Sequence, residues 1–510
     1  MKFLYTFVFV CILCTTVLAQ ITIKKMYEST GAIGLSSTSI DTIRTKTLNF
    51  AYPVYQYAID TSYNSFVFST RLKSEDVKTS YNKVFFGTID LTADTLNWFA
   101  ESNTYDLFVS EKSLFFSGDA KTSKLNKLRG FEEMKYAAKL LHVFPGSNNA
   151  LIYASEKGNV MHGLNLKDFS VTYTINIPRE ENWVDLKQRA DSSVIVAANG
   201  LHAIDFKNGL LWSYSLTTSA KITETLVAIS LQDNSIIKNS STVIKTSNDD
   251  ISVTELSSNI YEDENGNIYF AAKNKLLALQ RNGNLLWEVD LSAYPISKMI
   301  LSKNETSLVL INLGLARYLN NYAGYGVPFA LTVDLNTGNI IHKLNLGFSE
   351  NLVDFIKTDD SFVFASKSII TQIKNGANKL DTLLLLNKNK YEQFSEFING
   401  NNYYTEAEGF YVWLNFIKNN PIYFKTDNNK VYSLNKKSVS YEYHFNEIFK
   451  LDKTFDDKKL LVGERKSLVI SKNAELLYSI NLTDKAVVAK NKLIFVGEKK
   501  INFIDILSFK

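Results

Sequence analysis

The chain has 510 residues, with 56 Lys plus Arg against 52 Asp plus Glu, for a net charge of +4. So small an imbalance calls for neither nucleic acid nor an acidic membrane as partner. With 33 Phe, 27 Tyr and only six Pro, the composition favours strands and aromatic cores.

The chain opens with Lys2, an apolar run from Phe3 to Leu13, and small residues at Val17-Leu18-Ala19. This order predicts a secretory signal peptide over 1–19, with Gln20 as the first mature residue. The run is shorter than the roughly 20 residues a membrane span requires, and Leu13 stands where a lipid-anchor motif on Cys14 needs a small residue. Both cysteines, Cys11 and Cys14, fall inside this segment, so the exported chain is expected to be cysteine-free and held by packing alone. No later run approaches spanning length, and a soluble protein is expected: periplasmic, cell-surface or secreted.

Short apolar runs then recur along the chain. They begin with Val84-Phe85-Phe86-Gly87, followed by Asp90 and Trp98, and continue through Leu114–Gly118 to Leu151–Ala154 with Asn165 and Tyr173. A fuller copy comprises Ser193–Ala198, Leu201–Asp205 and Asn208-Gly209-Leu210-Leu211-Trp212. The clearest is Asn265–Ala272, Lys275–Leu279 and Asn282-Gly283-Asn284-Leu285-Leu286-Trp287. It reads as three strands, because the runs are too short for helices and Asn-Gly pairs supply the positive backbone angles of tight hairpins. Weaker copies follow at Leu308–Leu310 with Asp334–Gly338 and His342, Phe362–Ala365, Ile422–Phe424, Leu460–Gly463 with Tyr478, and Leu493–Gly497. The spacing suits four-stranded propeller blades. The bulky residues closing the units, Trp98, Tyr173, Trp212, Trp287, His342 and Tyr478, are expected to dock each blade on its neighbour.

Ala203, Asp205, Gly209 and Trp212, with Ala278, Gly283 and Trp287, resemble the docking motif of the pyrrolo-quinoline-quinone-like (PQQ-like) β-propeller repeat family. Asn208, Gln280, Asn282 and His342 depart from it. The resemblance implies an all-β propeller of four-stranded antiparallel blades; the traceable runs permit seven to ten blades, and the family's usual number makes eight the expected count. The domains are then the signal peptide 1–19, an N-terminal segment 20–60 carrying a ring-closing strand, and the propeller 61–510. Enzymes of this family resemble one another in an adjacent cysteine pair stacked on the quinone and a calcium held by oxygens. The exported chain would lack the cysteines, so no cofactor is expected. The non-enzymatic outer-membrane assembly type is the member it resembles in function.

Chemistry is sparse. The five histidines (His142, His162, His202, His342 and His444) show no ligand spacing. Glu262–Asn267 lacks the ligand series of a calcium loop, and no nucleophile elbow or phosphate loop occurs. No catalytic, metal or cofactor residue is therefore assigned. Two insertions rich in Tyr, Asn and Gly stand out, Tyr318–Phe329 and Asn399–Trp413. Either they are recognition loops, contributing Tyr318, Tyr322, Tyr325, Phe329, Tyr403 and Tyr404 to partner binding, or they pack down on the ring. Sequons stand at Asn239, Asn304 and Asn481. The leading expectation is a non-catalytic binding scaffold for another protein or an extracellular polymer; the alternative is a degenerate quinoprotein or another enzyme with its site in the central channel.

Overall fold

The computed structural model describes residues 34–36, 46–50 and most of 52–505, leaving out chiefly 72–83, 154–159, 178–184, 217–227, 233–241, 246–255, 387–391 and 415–421 with short turn segments. The expected leader with Cys11, Cys14 and Gln20, and the sequon at Asn239, lie outside the described residues. Every element among the described residues is a strand, and no helix there is long and apolar enough to cross a membrane.

The chain forms two compact units, Tyr55–Leu386 and Met1–Val54 with Asn387–Lys510. The first holds seven propeller blades, each four antiparallel strands in chain order: blade 1 (54–102), blade 2 (106–136), blade 3 (139–176), blade 4 (185–215), blade 5 (261–290), blade 6 (299–345) and blade 7 (354–385). The second holds blade 8 (394–444), blade 9 (448–480) and blade 10 (485–505). Blade 10 takes its fourth strand from the N-terminal segment, where Lys46–Asn49 pairs antiparallel with Lys500–Asp505. The Thr47 hydroxyl donates to Asn502 Oδ1 at 2.7 Å across that seam.

Ten blades thus replace the expected eight. Each of the ten apolar runs legible in the sequence belongs to a separate blade, and the family's usual count was the wrong guide. All ten runs are central strands of their blades. Nine are second strands, and Val84–Asp90 is the third strand of blade 1, after Ser65–Arg71. The physical reason is burial: central strands such as Val194–Ala197, Ile268–Ala272 and Ser361–Ala365 are buried along their whole length, so they read as continuous apolar runs. Edge strands such as Asp185–Gln188 and Thr95–Ser102 are half exposed and leave a fainter signature. Blade 1 begins at Val54, inside the segment expected to precede the propeller.

Docking between blades follows one recurrent geometry. The fourth strand carries a bulge, and the ring beyond it lies on the third-to-fourth-strand turn of the next blade. Trp98 Nε1 donates to Lys127 O at 3.0 Å, Trp212 Nε1 to Arg281 O at 3.0 Å, and Trp287 Nε1 to Leu335 O at 2.8 Å. Each indole covers a glycine of that turn, Gly130, Gly283 and Gly338, and Tyr173 covers Gly209. A Cβ at Gly283 would stand 2.5 Å from Trp212 Cδ2, and its φ is +86°, so both the ring and the backbone require glycine there. The aspartate of the motif closes the turn, since Asp205 Oδ1 accepts from the Lys207 and Asn208 amides at 2.8 and 2.6 Å. In blade 5, Asn282 substitutes by accepting from the Asn284 amide at 3.1 Å.

The other expected docking residues fit unevenly. Tyr478 packs with Ala486, Leu493, Phe495 and Ile504 of blade 10. His342 occupies the equivalent register, opposite Thr332 just before the bulge, but the turn that would receive it, 375–378, lies outside the described residues. Blade 2 uses Met134, which the sequence did not single out; it packs with Leu164, Leu166 and Phe169 of blade 3.

Candidate interaction surface

The two insertions form sheets, not loops. The first hairpin, Leu315–Tyr318 with Asn321–Gly324, springs from between the second and third strands of blade 6. It joins another hairpin, Ala228–Gln232 with Thr242–Lys245, from the long connection between blades 4 and 5, through Leu231↔Ala323 and Gln232↔Tyr322. Together they make a four-stranded sheet additional to the blades.

The base of the first hairpin is firmly held. Asn312, fully buried, accepts from the Ser297 amide at 2.7 Å and donates to Val327 O at 3.0 Å. Ser297 Oγ accepts from the Gly314 amide at 2.8 Å, and Leu313 and Leu315 enter a core with Phe348, Leu352, Phe362 and Phe364.

Of the six expected recognition residues, the structure brings four into cores. Tyr325 and Phe329 are buried, Phe329 against Tyr294 with ring centroids 6.1 Å apart and under the Lys343 ammonium. Tyr403 and Tyr404 are buried as well. They stand on Tyr403–Ala407, which pairs with Phe410–Leu414 and adds to the first strand of blade 9 through Tyr403↔Lys450 and Tyr404↔Phe449. Gly34–Ser36 then pairs with Phe410–Leu414, extending that sheet to seven strands. Tyr404 packs with Phe449, Leu461 and Leu468, and its hydroxyl accepts from Lys459 Nζ at 3.2 Å. Tyr318 and Tyr322 lie on the additional sheet, at Tyr318↔Asn321 and Arg317↔Tyr322.

Charged contacts between blades were not legible in the sequence. Asp60, at the end of the first strand of blade 1, pairs with Lys127 of the docking turn of blade 2 at 2.6 Å, both side chains almost wholly buried. Lys127 also donates to Ser62 Oγ at 3.1 Å and Ser110 O at 3.0 Å. Between blades 4 and 5, Arg189 donates to Glu262 Oε1 through Nε at 3.0 Å and Nη2 at 2.7 Å. Beside it, Asp191 accepts from Ser193 Oγ at 2.5 Å and Arg281 Nη2 at 2.8 Å. The Ser193 hydroxyl first, with the Ser193 amide, Arg281 and Arg189 adding to it against partial burial, brings the Asp191 carboxyl down to about 2. These charges answer one another across blade seams and act as fasteners.

The histidines do not converge. His162 Nδ1 lies 3.0 Å from Thr174 Oγ1. His202 is buried, with Nε2–H donating to Ala198 O at 2.8 Å and Nδ1 2.6 Å from Ser213 Oγ; burial lowers its affinity for a second proton. Among the described residues no group of three or more His, Cys, Asp or Glu could hold a metal ion. The sequon residues Asn481 and Thr483 are exposed.

No known family profile matches the chain, and no curated protein matches it. Solved structures similar to it include BamB from Moraxella catarrhalis, at 10% identity and a TM-score of 0.33 over 74% of this chain and 100% of that one. Apo AztD from Citrobacter koseri is 12% identical with a TM-score of 0.29 over 69% and 90%. The dihydro-heme d1 dehydrogenase NirN is 11% identical with a TM-score of 0.32 over 72% of each chain. Likenesses this faint assign no function, and the propeller class rests on the strand order of the blades themselves.

Proposed function

We propose that this protein is an exported, non-catalytic propeller of the PQQ-like kind that recognises another protein or an extracellular polymer. One observation carries the proposal: two insertions from separate places in the chain, 228–245 and 315–324, pair into a sheet that no blade needs. Blades satisfy their own pairing with four strands, so an added sheet on a rigid frame suits recognition. The leader expected at 1–19 would direct export, and the pairing of Lys46–Asn49 with the last strand of blade 10 supports a sealing role for the N-terminal segment.

The test uses the full mature chain with a photo-crosslinking amino acid at position 322, exposed to the extracellular fraction of the native host. A defined adduct is expected. It should vanish when 217–255 and 316–323 are replaced by Gly-Ser linkers, with far-UV circular dichroism unchanged. An adduct insensitive to that replacement would overturn the assignment to this sheet. A quinone chromophore or stoichiometric calcium in protein from the native host would overturn the non-catalytic reading.

A further inference from the structure

We propose that the outer edge of Phe410–Leu414 is an acceptor for an extended polypeptide strand of a partner, and that Gly34–Ser36 is a resident strand that such a partner displaces. Among the described residues, the sheets of the other nine blades end at their first strands, whereas blade 9 is prolonged beyond its own. The prolongation has a firm base. Tyr403–Ala407 pairs with the first strand of blade 9 from Tyr403↔Lys450 to Thr405↔Ile448, and Tyr404 is buried against Phe449, Leu461 and Leu468. Phe410–Leu414 folds back on it as a hairpin, from Ala407↔Phe410 to Tyr403↔Leu414. All these strands belong to the one unit that holds blades 8 to 10. Blade 8, from which the hairpin springs, completes its own four strands without it, so the blades do not need it.

The edge is built for pairing. Phe-Tyr-Val-Trp-Leu contains no charge, glycine or proline, and all but the leucine are strong strand formers. Natural proteins rarely leave such an edge bare, because its unpaired N–H and C=O groups template any extended chain that reaches them. Here the cover is minimal. Gly34–Ser36 is three residues long against five and pairs at Gly34↔Val412, Leu35↔Tyr411 and Ser36↔Phe410. It begins with a glycine, which weakens a strand. Among the described residues, nothing pairs with Trp413 and Leu414 on that side.

A tether favours so short a strand. Residues 37–45 join it to Lys46–Asn49, which is fixed on blade 10, so it competes at a high effective concentration. A longer partner strand offers more backbone pairs and overcomes that advantage. Main-chain bonding to a sheet edge is a recurrent mode of peptide recognition. The occupant it selects is an extended polypeptide, whose N–H and C=O groups repeat at the spacing of a strand.

The test uses the mature full-length chain and a fluorescent Thr-Val repeat peptide of about eight residues with lysine ends, read by anisotropy. Leu35→Pro removes an amide from the resident strand and should tighten peptide binding about tenfold. Leu35→Cys with Tyr411→Cys puts thiols at directly opposite positions, about 4.5–5.5 Å apart at Cα and within disulfide reach. Both native cysteines, Cys11 and Cys14, lie in the expected leader. Oxidation should lock the resident strand and abolish peptide binding, and reduction should restore it. N-methylating every residue of the peptide should also abolish binding, whereas N-methylating alternate residues, which leaves one edge of the peptide intact, should not. Circular dichroism should be the same for all variants, because the resident strand belongs to no blade. Absence of binding to the Leu35→Pro chain, equal binding to the oxidised and reduced pair, or binding of the fully methylated peptide would overturn the proposal. So would a disulfide that links two chains on a non-reducing gel, which would make a second copy's strand the occupant. Replacing 217–255 and 316–323 by linkers should leave peptide binding intact, so this proposal and the recognition role of the additional sheet fail separately.

Discussion

Replacing Gly283 with alanine tests the docking geometry most directly. The new Cβ would stand 2.5 Å from Trp212 Cδ2, on a backbone with φ of +86°. The left-handed conformation costs about 1–2 kcal/mol for an L-residue, and crowding a packed ring about 1–3 kcal/mol more. A built-in control separates the two: Gly347 has φ of +75° with nothing within 4 Å of its would-be Cβ, so Gly347→Ala carries the backbone cost alone. Urea unfolding followed by far-UV circular dichroism should show Gly283→Ala destabilising by about 2–5 kcal/mol and Gly347→Ala by about 1–2 kcal/mol. Combining Gly283→Ala with Trp212→Ala removes the crowding, so the pair should cost less than the sum by about 1–3 kcal/mol. Equal shifts for the two glycines, or strict additivity in the double variant, would refute the docking argument.

Lys127→Met strips the partner from the buried Asp60 carboxylate and should cost about 3–5 kcal/mol; adding Asp60→Leu should recover much of the loss, measured by the same urea midpoints. The Asp191 carboxyl is held near 2 in the fold, below the ordinary value near 3.8, so its contribution is complete above about pH 4 and disappears as pH falls toward 2. Asp191→Asn should lower stability at pH 6 and flatten the stability–pH curve between about pH 4 and 2, a difference that thermal melts across that range would register. Removing residues 20–49 uncovers the edge of Lys500–Asp505; analytical ultracentrifugation should show concentration-dependent self-association, suppressed by a peptide spanning 44–51. Were the truncated chain strictly monomeric and as stable as the parent, the N-terminal strand would have no sealing role.

The repeat, its propeller class and the docking rings Trp98, Tyr173, Trp212, Trp287 and Tyr478 were legible because they depend on local chemistry, whereas Met134 of blade 2 carries no such mark. Doubly buried strands must be apolar throughout, turns such as 205–209 need an Asx cap and a glycine, and the ring of Trp212 or Trp287 follows the turn glycine by three or four residues. The same locality makes the number of apolar runs, ten, the guide to the blade count. What only the tertiary structure decided was long-range. The hairpins joined by Leu231↔Ala323 and Gln232↔Tyr322 have no mutual signal in sequence until backbone hydrogen bonds join them. The burial of Tyr403 and Tyr404 depends on a neighbouring blade's first strand, and the Asp60–Lys127 pair on two turns brought face to face. Tyr, Asn and Gly in a segment express local turn preference and aromatic bulk, which serve a core as readily as a binding surface. Which of the two they serve is fixed by the strand that arrives to cover them.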